Sequence, residues 1–391
     1  MAAGRTYQQQ KIRKFEDLPI IFRPMIDTTE RLCTLALLKA PNLGPVLVRK
    51  LIAEAGSAQQ LWNMSPDSLS DLRGRGAKWI PNLNKEKLLS LASKDLDYAK
   101  VHGIEVLHYQ CMEYPKYLLN CYDYPLLLYK KGRLEFKGRR VISIVGTRSA
   151  TQWGKRFCSE LVEALMPYNP IVVSGLAFGI DIAVHKEALK RGLHTVACLA
   201  HGLDRVYPQQ HSKTALEIVD QGCLLSEYGK NDQFDRPNFI ARNRIIAGLS
   251  TATVVIESAF KGGSLATAEL AQSYNRDVYA IPGRPSDPFS AGCNALIRDQ
   301  KAQLIYRPQD LLDYLGWTSL PVSQDRKKIR NWLDLPAEQQ ALVGLLEKGR
   351  LSMDQLLIES GWSISKLSAM LFDLELKQLV RAIQGQQYEL C

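Results

Sequence analysis

Four short segments of the chain combine glycine with hydroxyl, amide and guanidinium side chains, a mixture suited to holding anions. The first, Gly146-Thr147-Arg148-Ser149-Ala150, follows the apolar run Val141–Val145 and precedes a helical pattern opening near Trp153. Gly146 allows close approach of backbone to a phosphate, Thr147 and Ser149 can donate hydrogen bonds, and Arg148 offers a planar fork to two phosphate oxygens. The second, Ser174-Gly175-Leu176-Ala177-Phe178-Gly179-Ile180-Asp181, again leads from a strand pattern through glycines into a helix. Asp181 reads as a helix N-cap, and His185, four residues on, as a structural histidine in preference to a catalytic partner. In the third, Phe239 is followed by Arg242-Asn243-Arg244. That set suits a nucleic-acid strand, with a base on Phe239 and phosphates on the arginines; the alternative is buried arginines paired with Glu257 or Asp235. The fourth, Lys261-Gly262-Gly263-Ser264 with Thr267, puts paired glycines at a helix start.

Several chemistries have no residues to carry them. The dinucleotide pattern G-x-G-x-x-G and the P-loop pattern G-x-x-x-x-G-K-[ST] are both missing, so neither a nicotinamide cofactor nor ATP hydrolysis is expected. H-E-x-x-H and G-x-S-x-G are also missing. Eight cysteines occur without a C-x-x-C pair or histidines at metal-ligand spacing, and read as reduced, mostly buried thiols. The expectation is therefore a binding protein with no catalytic residue, no metal and no cofactor. A net charge of +10 with 46% hydrophobic residues fits a protein that meets polyanions. No window approaches the roughly 18 apolar residues of a membrane span, and the amino terminus lacks the apolar stretch of a secretory signal, so a cytoplasmic location is expected.

The elements that position these segments fall into three regions. Residues 1–27 form an extension without interpretable periodicity. Residues 28–105 read as a small all-α domain in which Thr28-Thr29-Glu30 caps a first helix and Pro41-Asn42-Leu43-Gly44 turns into a second. This is similar to helix-hairpin-helix and SAM-like domains, with Asn42 where the first hairpin glycine is usual; the unit serves either DNA contact or packing. Residues 106–317 alternate β-branched runs with amphipathic helices, predicting a Rossmann-like, mainly parallel α/β sheet. Its strands are Val141–Val145, Ile171–Ser174, His194–Leu199, Gly222–Ser226, Thr253–Ile256 and Asp277–Ile281, extended by Glu105–Tyr109 and Leu126–Lys130. In such a sheet all four segments lie beyond the carboxyl ends of strands, where ligands bind. A linker, 318–334, leads to 335–391, whose helix, helix, helix, hairpin order predicts a winged helix. Acidic residues outnumber basic ones there, and its presumed recognition helix has only Lys366 and Lys377 as cations beside Asp373 and Glu375, so a role in protein contacts is expected.

Ile144-Val145-Gly146-Thr147-Arg148, Ser174-Gly175-Leu176-Ala177 with Gly179-Ile180-Asp181 and His185, the run Arg242-Asn243-Arg244-Ile245-Ile246-Ala247-Gly248-Leu249-Ser250, and Gly262-Gly263-Ser264 with Thr267-Ala268 together resemble the DNA-processing protein A family. The likeness spans about 106–305, and its most specific part is the run from Arg242. It implies a bacterial cytoplasmic protein that binds incoming single-stranded DNA in natural transformation, protects it and loads the RecA recombinase, without turnover chemistry. It also implies a homodimer formed through the Rossmann-like domain. The DNA-binding residues it implies are Arg148, Phe239, Arg242 and Arg244 with the Gly146, Gly175 and Gly263 loops. Thr147, Ser149, Ser174, Ala177, Gly179, Asn243, Lys261, Gly262, Ser264 and Thr267 complete the expected rim. The chain departs from the family at Gln209 and Gln210, where a basic residue is common after Tyr207-Pro208. An enzymatic alternative comes from the P-G-G-x-G-T-x-x-E motif of nucleoside monophosphate phosphoribohydrolases, similar to Gly262-Gly263-Ser264 with Thr267 and Glu269. Lys261 in place of its Pro and Ala266 in place of its third Gly favour binding.

Overall fold

In a computed structural model of the chain, the residues described are 27–70, 80, 83–230, 232–317, 335–346, 349–377, 379–383 and 387–390. Residues 1–26 of the extension, the linker and Cys391 lie outside them. Helices come first: α1 (Thr28–Leu38), α2 (Pro45–Ala55), α3 (Ala58–Asn63), α4 (Pro66–Ser70) and α5 (Lys85–Val101). Asn42 takes up the left-handed conformation (φ 63°) in the turn between α1 and α2, as an asparagine can. Glu30 does not cap its own helix; its carboxylate accepts from the N–H groups of Ala58 and Gln59 at 2.7 and 2.9 Å and so closes the start of α3.

Next come β1 (Glu105–His108), α6 (Lys116–Leu119) and β2 (Leu127–Lys131). They lead into an alternation of β3 (Val141–Val145), α7 (Gln152–Leu165), β4 (Ile171–Ser174), α8 (Ile180–Lys190), β5 (Thr195–Leu199), α9 (Ser212–Gln221), β6 (Cys223–Ser226), α10 (Arg236–Leu249), β7 (Ala252–Val255), α11 (Gly263–Ser273), β8 (Asp277–Ala280), α12 (Ala291–Arg298), β9 (Gln303–Leu304) and α13 (Pro308–Tyr314). Among the described residues the strands form one sheet in the order β1-β2-β6-β5-β4-β3-β7-β8-β9. From β6 to β9 it is parallel, and β2 and β1 add antiparallel strands at the β6 edge. The sequence-based strands are recovered to within a residue or two, and the expected lead-in does extend the sheet.

The central strands read as unbroken apolar runs because both faces are covered. Along β3, Val141 and Val145 enter one core cluster with Ile245 and Ala268, while Ile142 and Ile144 enter the other with Phe157, Leu161 and Val184. Ser143, buried between them, is satisfied by the Ser250 and Thr253 hydroxyls, each at 2.8 Å, which ties β3 to the start of β7. The amino-terminal helices share a core with Leu126 and Leu127 on β2 and its approach, so they belong to the same compact unit as the sheet.

A second unit, Ser319–Cys391, contains α14 (Ala337–Leu346), β10 (Leu351–Ser352), α15 (Met353–Ser360), α16 (Ile364–Leu376), β11 (Val380–Ile383) and β12 (Gln387–Leu390). Three strands in the order β10-β12-β11 form the wing of a winged helix, with Leu342, Leu356, Leu367, Leu371 and Val380 in its core. Among the described residues no helix is long and apolar enough to cross a membrane, and every cysteine is free.

Two buried histidines link the fold to pH. Thr34 gives its hydroxyl proton to the Glu30 carbonyl, so His108 Nε2 donates to Thr34 while His108 Nδ1 accepts from Gln110 N–H. A neutral ring satisfies both contacts, and burial, helped by Arg31, lowers the His108 pKa to about 4. His185 likewise donates from Nδ1 to Thr195, whose proton goes to the Val172 carbonyl, and burial with nearby His211 and Arg242 lowers its pKa to about 3. The unfolded chain protonates these rings below their ordinary 6.5, so their contribution is complete above that pH and is lost as pH falls toward 4. Each costs up to about 1.4 kcal/mol per pH unit in that window. Thermal unfolding midpoints recorded from pH 7 to 4 should fall, and the fall should be shallower in His108→Gln and His185→Gln.

Candidate nucleic-acid interface

The chain runs from β3 outward through β4, β5 and β6, then returns to place β7 on the other side of β3. This reversal opens the carboxyl edge of the sheet between β3 and β7, the position where doubly wound sheets bind ligands. The loops after β3 and β7 meet there: Thr147 N–H donates to the Glu257 carbonyl at 2.7 Å. The loop after β4 joins them, since Ile180 N–H donates to the Thr147 carbonyl at 3.1 Å.

Glycines let these loops pack on one another. A Cβ on Gly146 would stand 2.5 Å from the Ile180 side chain and 2.9 Å from the Glu257 carbonyl, and one on Gly179, already at φ +80°, would stand 2.0 Å from the Thr147 carbonyl. On Gly175 it would meet Asp181 and the Arg242 guanidinium at 2.7 and 2.8 Å. Gly146 and Gly175 thus serve contacts within the protein, a role distinct from the phosphate approach expected of Gly146. Gly263 alone among the expected loop glycines has open space where a Cβ would go.

Both arginines of the third segment are buried, with partners other than those weighed from sequence. Arg242, 5% exposed, donates from Nη1 to the Gly175 carbonyl at 2.7 Å and to the Cys198 carbonyl, joining the ends of β4 and β5. Burial lowers the Arg242 pKa; Asp181 opposes this, and the nearby positive charge of Arg148 adds to it. Burial raises the Asp181 carboxyl pKa, against the pull of Arg242. Asp181 is not the N-cap of α8, a place taken by Gly179; it lies in the first turn and accepts from Ala177 N–H at 3.4 Å. Arg244 points to the other side of α10, because residues two apart on a helix diverge. There it pairs with Glu227 and donates to the Asp123 carbonyl, away from the β3–β7 opening. Glu257 holds Thr151 at the start of α7, and Asp235 caps α10.

Other expected contacts also lie beneath the surface. Ser174 is fully buried and donates to the Ile144 carbonyl at 2.7 Å; Ser264 donates to the Ser258 hydroxyl at 2.8 Å; Thr267 is buried. His185 has Thr195 as its partner, so no Asp181–His185 dyad forms. What reaches solvent is Arg148, Ser149, Lys261 and Gly263, with Gly146, Thr147, Ala177, Gly179, Phe239, Asn243 and Gly262 half-buried behind them. Asn243 donates to the Gly263 carbonyl at 3.3 Å and so links α10 to the fourth segment.

Around the expected Phe239 the structure gathers aromatic residues that sequence reasoning did not assign to the site. Tyr207, Phe234 and Phe239 meet edge to face with ring centroids 5.3 to 5.7 Å apart. Phe178 is 43% exposed and Phe260 63% exposed, each in a loop of the same rim. Such residues sit singly in loops with no periodicity to mark them. The loop carrying Phe234 is anchored from the amino-terminal helices: Lys39, nearly buried, bonds Asp95 of α5 and Asp232 at 2.5 and 2.8 Å. Burial alone would lower the Lys39 pKa, but the two carboxylates raise it above the ordinary lysine value.

A doubly wound sheet whose carboxyl edge gathers cations, glycine loops and exposed rings defines the class as Rossmann-like. Residues 105–316 match the family model for DNA recombination-mediator protein A, and 332–386 match that for the DprA winged helix domain. Protein Smf of Synechocystis sp. is 30% identical over 92% of this chain and 99% of its own length. Among solved structures, DNA processing protein A of Streptococcus pneumoniae superposes with TM-score 0.62 at 31% identity, covering 74% of this chain and 98% of that one. DNA processing protein A of Helicobacter pylori, described for its unique single-stranded DNA binding mode, superposes with TM-score 0.50 at 30% identity over 55% of this chain and 96% of that one. The chain belongs to the DNA recombination-mediator protein A family.

The geometry separates two kinds of arginine. Arg242→Met removes the positive charge beside Asp181 and leaves the Gly175 and Cys198 carbonyls without their buried donor, and should cost about 3–5 kcal/mol of stability. Arg148→Ala, at an exposed position, should change stability by less than about 0.5 kcal/mol. Denaturant unfolding of both variants checks this.

Proposed function

We propose that the chain binds single-stranded DNA along the carboxyl edge of its sheet, and that it protects the strand and loads a RecA-type recombinase onto it during natural transformation. The observation that carries this is the unneutralised charge at the rim: Arg148 and Lys261 are exposed and make no ion pair among the described residues, and buried Arg242 stands close behind Arg148. A phosphate is the counter-charge such a place lacks. Arg148, Ser149, Lys261 and the Gly263 backbone are the contacts, with Thr147 and Asn243 shaping their loops, while Arg242, Ser174, Ser264 and Thr267 act as positioning residues. Phe239 and its neighbours Tyr207 and Phe234 offer ring surface to bases, whose stacking is tolerant of sequence. Family membership and the single-stranded DNA binding described for the Helicobacter relative support this reading, and a homodimer through the Rossmann-like unit is part of it.

The role is binding without turnover. Glu269, which the phosphoribohydrolase alternative requires at its active site, is exposed and lies 3.8 Å from Lys301, after α12. Burial raises the Cys158 and Cys198 thiols to about 12, which removes them as nucleophiles. The winged helix serves protein contacts: Lys366 pairs with Glu338, Lys377 with Asp373, and Arg350 and Arg381 with Glu389, while Ile364, Phe372 and Leu376 of α16 are exposed.

Titration of a fluorescent oligo-dT at several salt concentrations should give a dissociation constant below about 1 μM with a steep negative salt dependence. Arg148→Ala should weaken binding and make the slope shallower by about 0.7, the value of one lost phosphate contact on a single strand. Removal of 318–391 should leave affinity unchanged. Release of adenine from AMP without DNA affinity would establish the enzymatic alternative instead.

A further inference from the structure

Beside Arg148 the surface opens into a groove between α7 and α8, a cavity of about 500 Å³ lined by Arg148, Ser149, Lys155, Phe178, Ile182 and Lys186. Lys155, Ile182 and Lys186 lie outside the four glycine-containing segments of the sequence. Lys155 projects from the first turn of α7 and Lys186 from the middle of α8; both are exposed, and neither joins an ion pair among the described residues. One carboxylate, Glu187, also lines the groove. It is already engaged, pairing with Arg191 and accepting from the Ser159 hydroxyl at 3.1 Å, so it does not neutralise the lysines. Phe178 stands edge-on to His211, ring centroids 4.8 Å apart, and is 43% exposed. Three unneutralised cations around one exposed ring match a phosphodiester strand carrying bases better than an apolar or acidic ligand.

The groove also has length. Its mouth is fixed by the Ile180–Thr147 hydrogen bond, and Lys186 lies six residues along α8, roughly 9 Å at the helical rise. Past Lys186, the neighbouring hollow sets Glu217 and Asp220 against Lys186 and Lys190, so the excess of positive charge ends there.

We propose that this groove holds a second segment of the bound polynucleotide. The strand continues from Arg148 between α7 and α8, one base lies against Phe178, and phosphates rest on Lys155 and Lys186. The inference depends on the strand-binding role proposed above and adds a subsite to it, so affinity should grow with strand length until the groove is filled.

The test uses the full chain with oligo-dT from about 4 to about 16 nucleotides, the span of a single-stranded binding module. Lys155→Ala with Lys186→Ala should bind the shortest strands as the parent does, lose affinity on the longest, and make the salt slope for those shallower by about 1.4, two phosphates' worth. Phe178→Ala should lose roughly 5- to 150-fold on the longer strands, the range of one base–aromatic stack. Unfolding midpoints of the lysine variant should match the parent, because both side chains are exposed. Arg148→Ala should weaken every length. Parent-like binding of the lysine and phenylalanine variants at every length, with Arg148→Ala still impaired, overturns the subsite and leaves the strand-binding role intact. A loss equal at all lengths also overturns it, since the groove would then be part of the primary contact. A parent protein that binds no strand overturns both.

Discussion

The carboxyl edge of the sheet depends on one buried guanidinium. Arg242 closes the ends of β4 and β5 by donating to the Gly175 and Cys198 carbonyls, with Asp181 beside it as counter-charge. Carbonyls at strand ends have no ladder partner, and leaving them unpaired in a dry interior costs about 1–3 kcal/mol each. Arg242 satisfies two of them at once, and this fixes where the loop after β4 can run. That loop in turn supports the Thr147–Arg148 backbone through Gly179 and Ile180. The exposed side chain of Arg148 is therefore held by a stack of backbone contacts whose foundation is out of reach of solvent.

This arrangement carries a consequence for charge. Arg242 has Asp181 as its counter-charge, and the positive charge of Arg148 makes it harder to keep protonated. An anion arriving at Arg148 relieves that repulsion as well as filling its own hydrogen bonds. The proposed binding would therefore favour the protonated Arg242 without any rearrangement of the loops, because the glycines leave no room for them to shift inward.

Much of the fold was legible in the sequence because the parallel strands are covered on both faces and read as short apolar runs; β3 to β8 were placed to within a residue or so. β9 and β10, two residues each, carry no such pattern. The meeting of the candidate loops was legible too, since glycine-rich turns after β3, β4 and β7 had to share an edge. The division of labour at that edge was not. Whether an arginine on α10 faces solvent depends on which side of the helix packs inward, and Arg242 and Arg244, two positions apart, turn to different buried partners. Capping from a distance, as Glu30 does for α3, is a tertiary contact with no local signature. Tyr207, Phe234 and Phe178 become a group only once the loops are folded together.

The central claim is that a DNA strand lies on the carboxyl edge of the sheet, against Arg148. Hydrogen–deuterium exchange of the full chain with and without oligo-dT addresses it directly. Slower exchange on binding is predicted for residues 146–150, 177–179 and 260–264, with 337–390 unchanged. Protection confined to the amino edge of the sheet, or to the winged helix, would contradict the account.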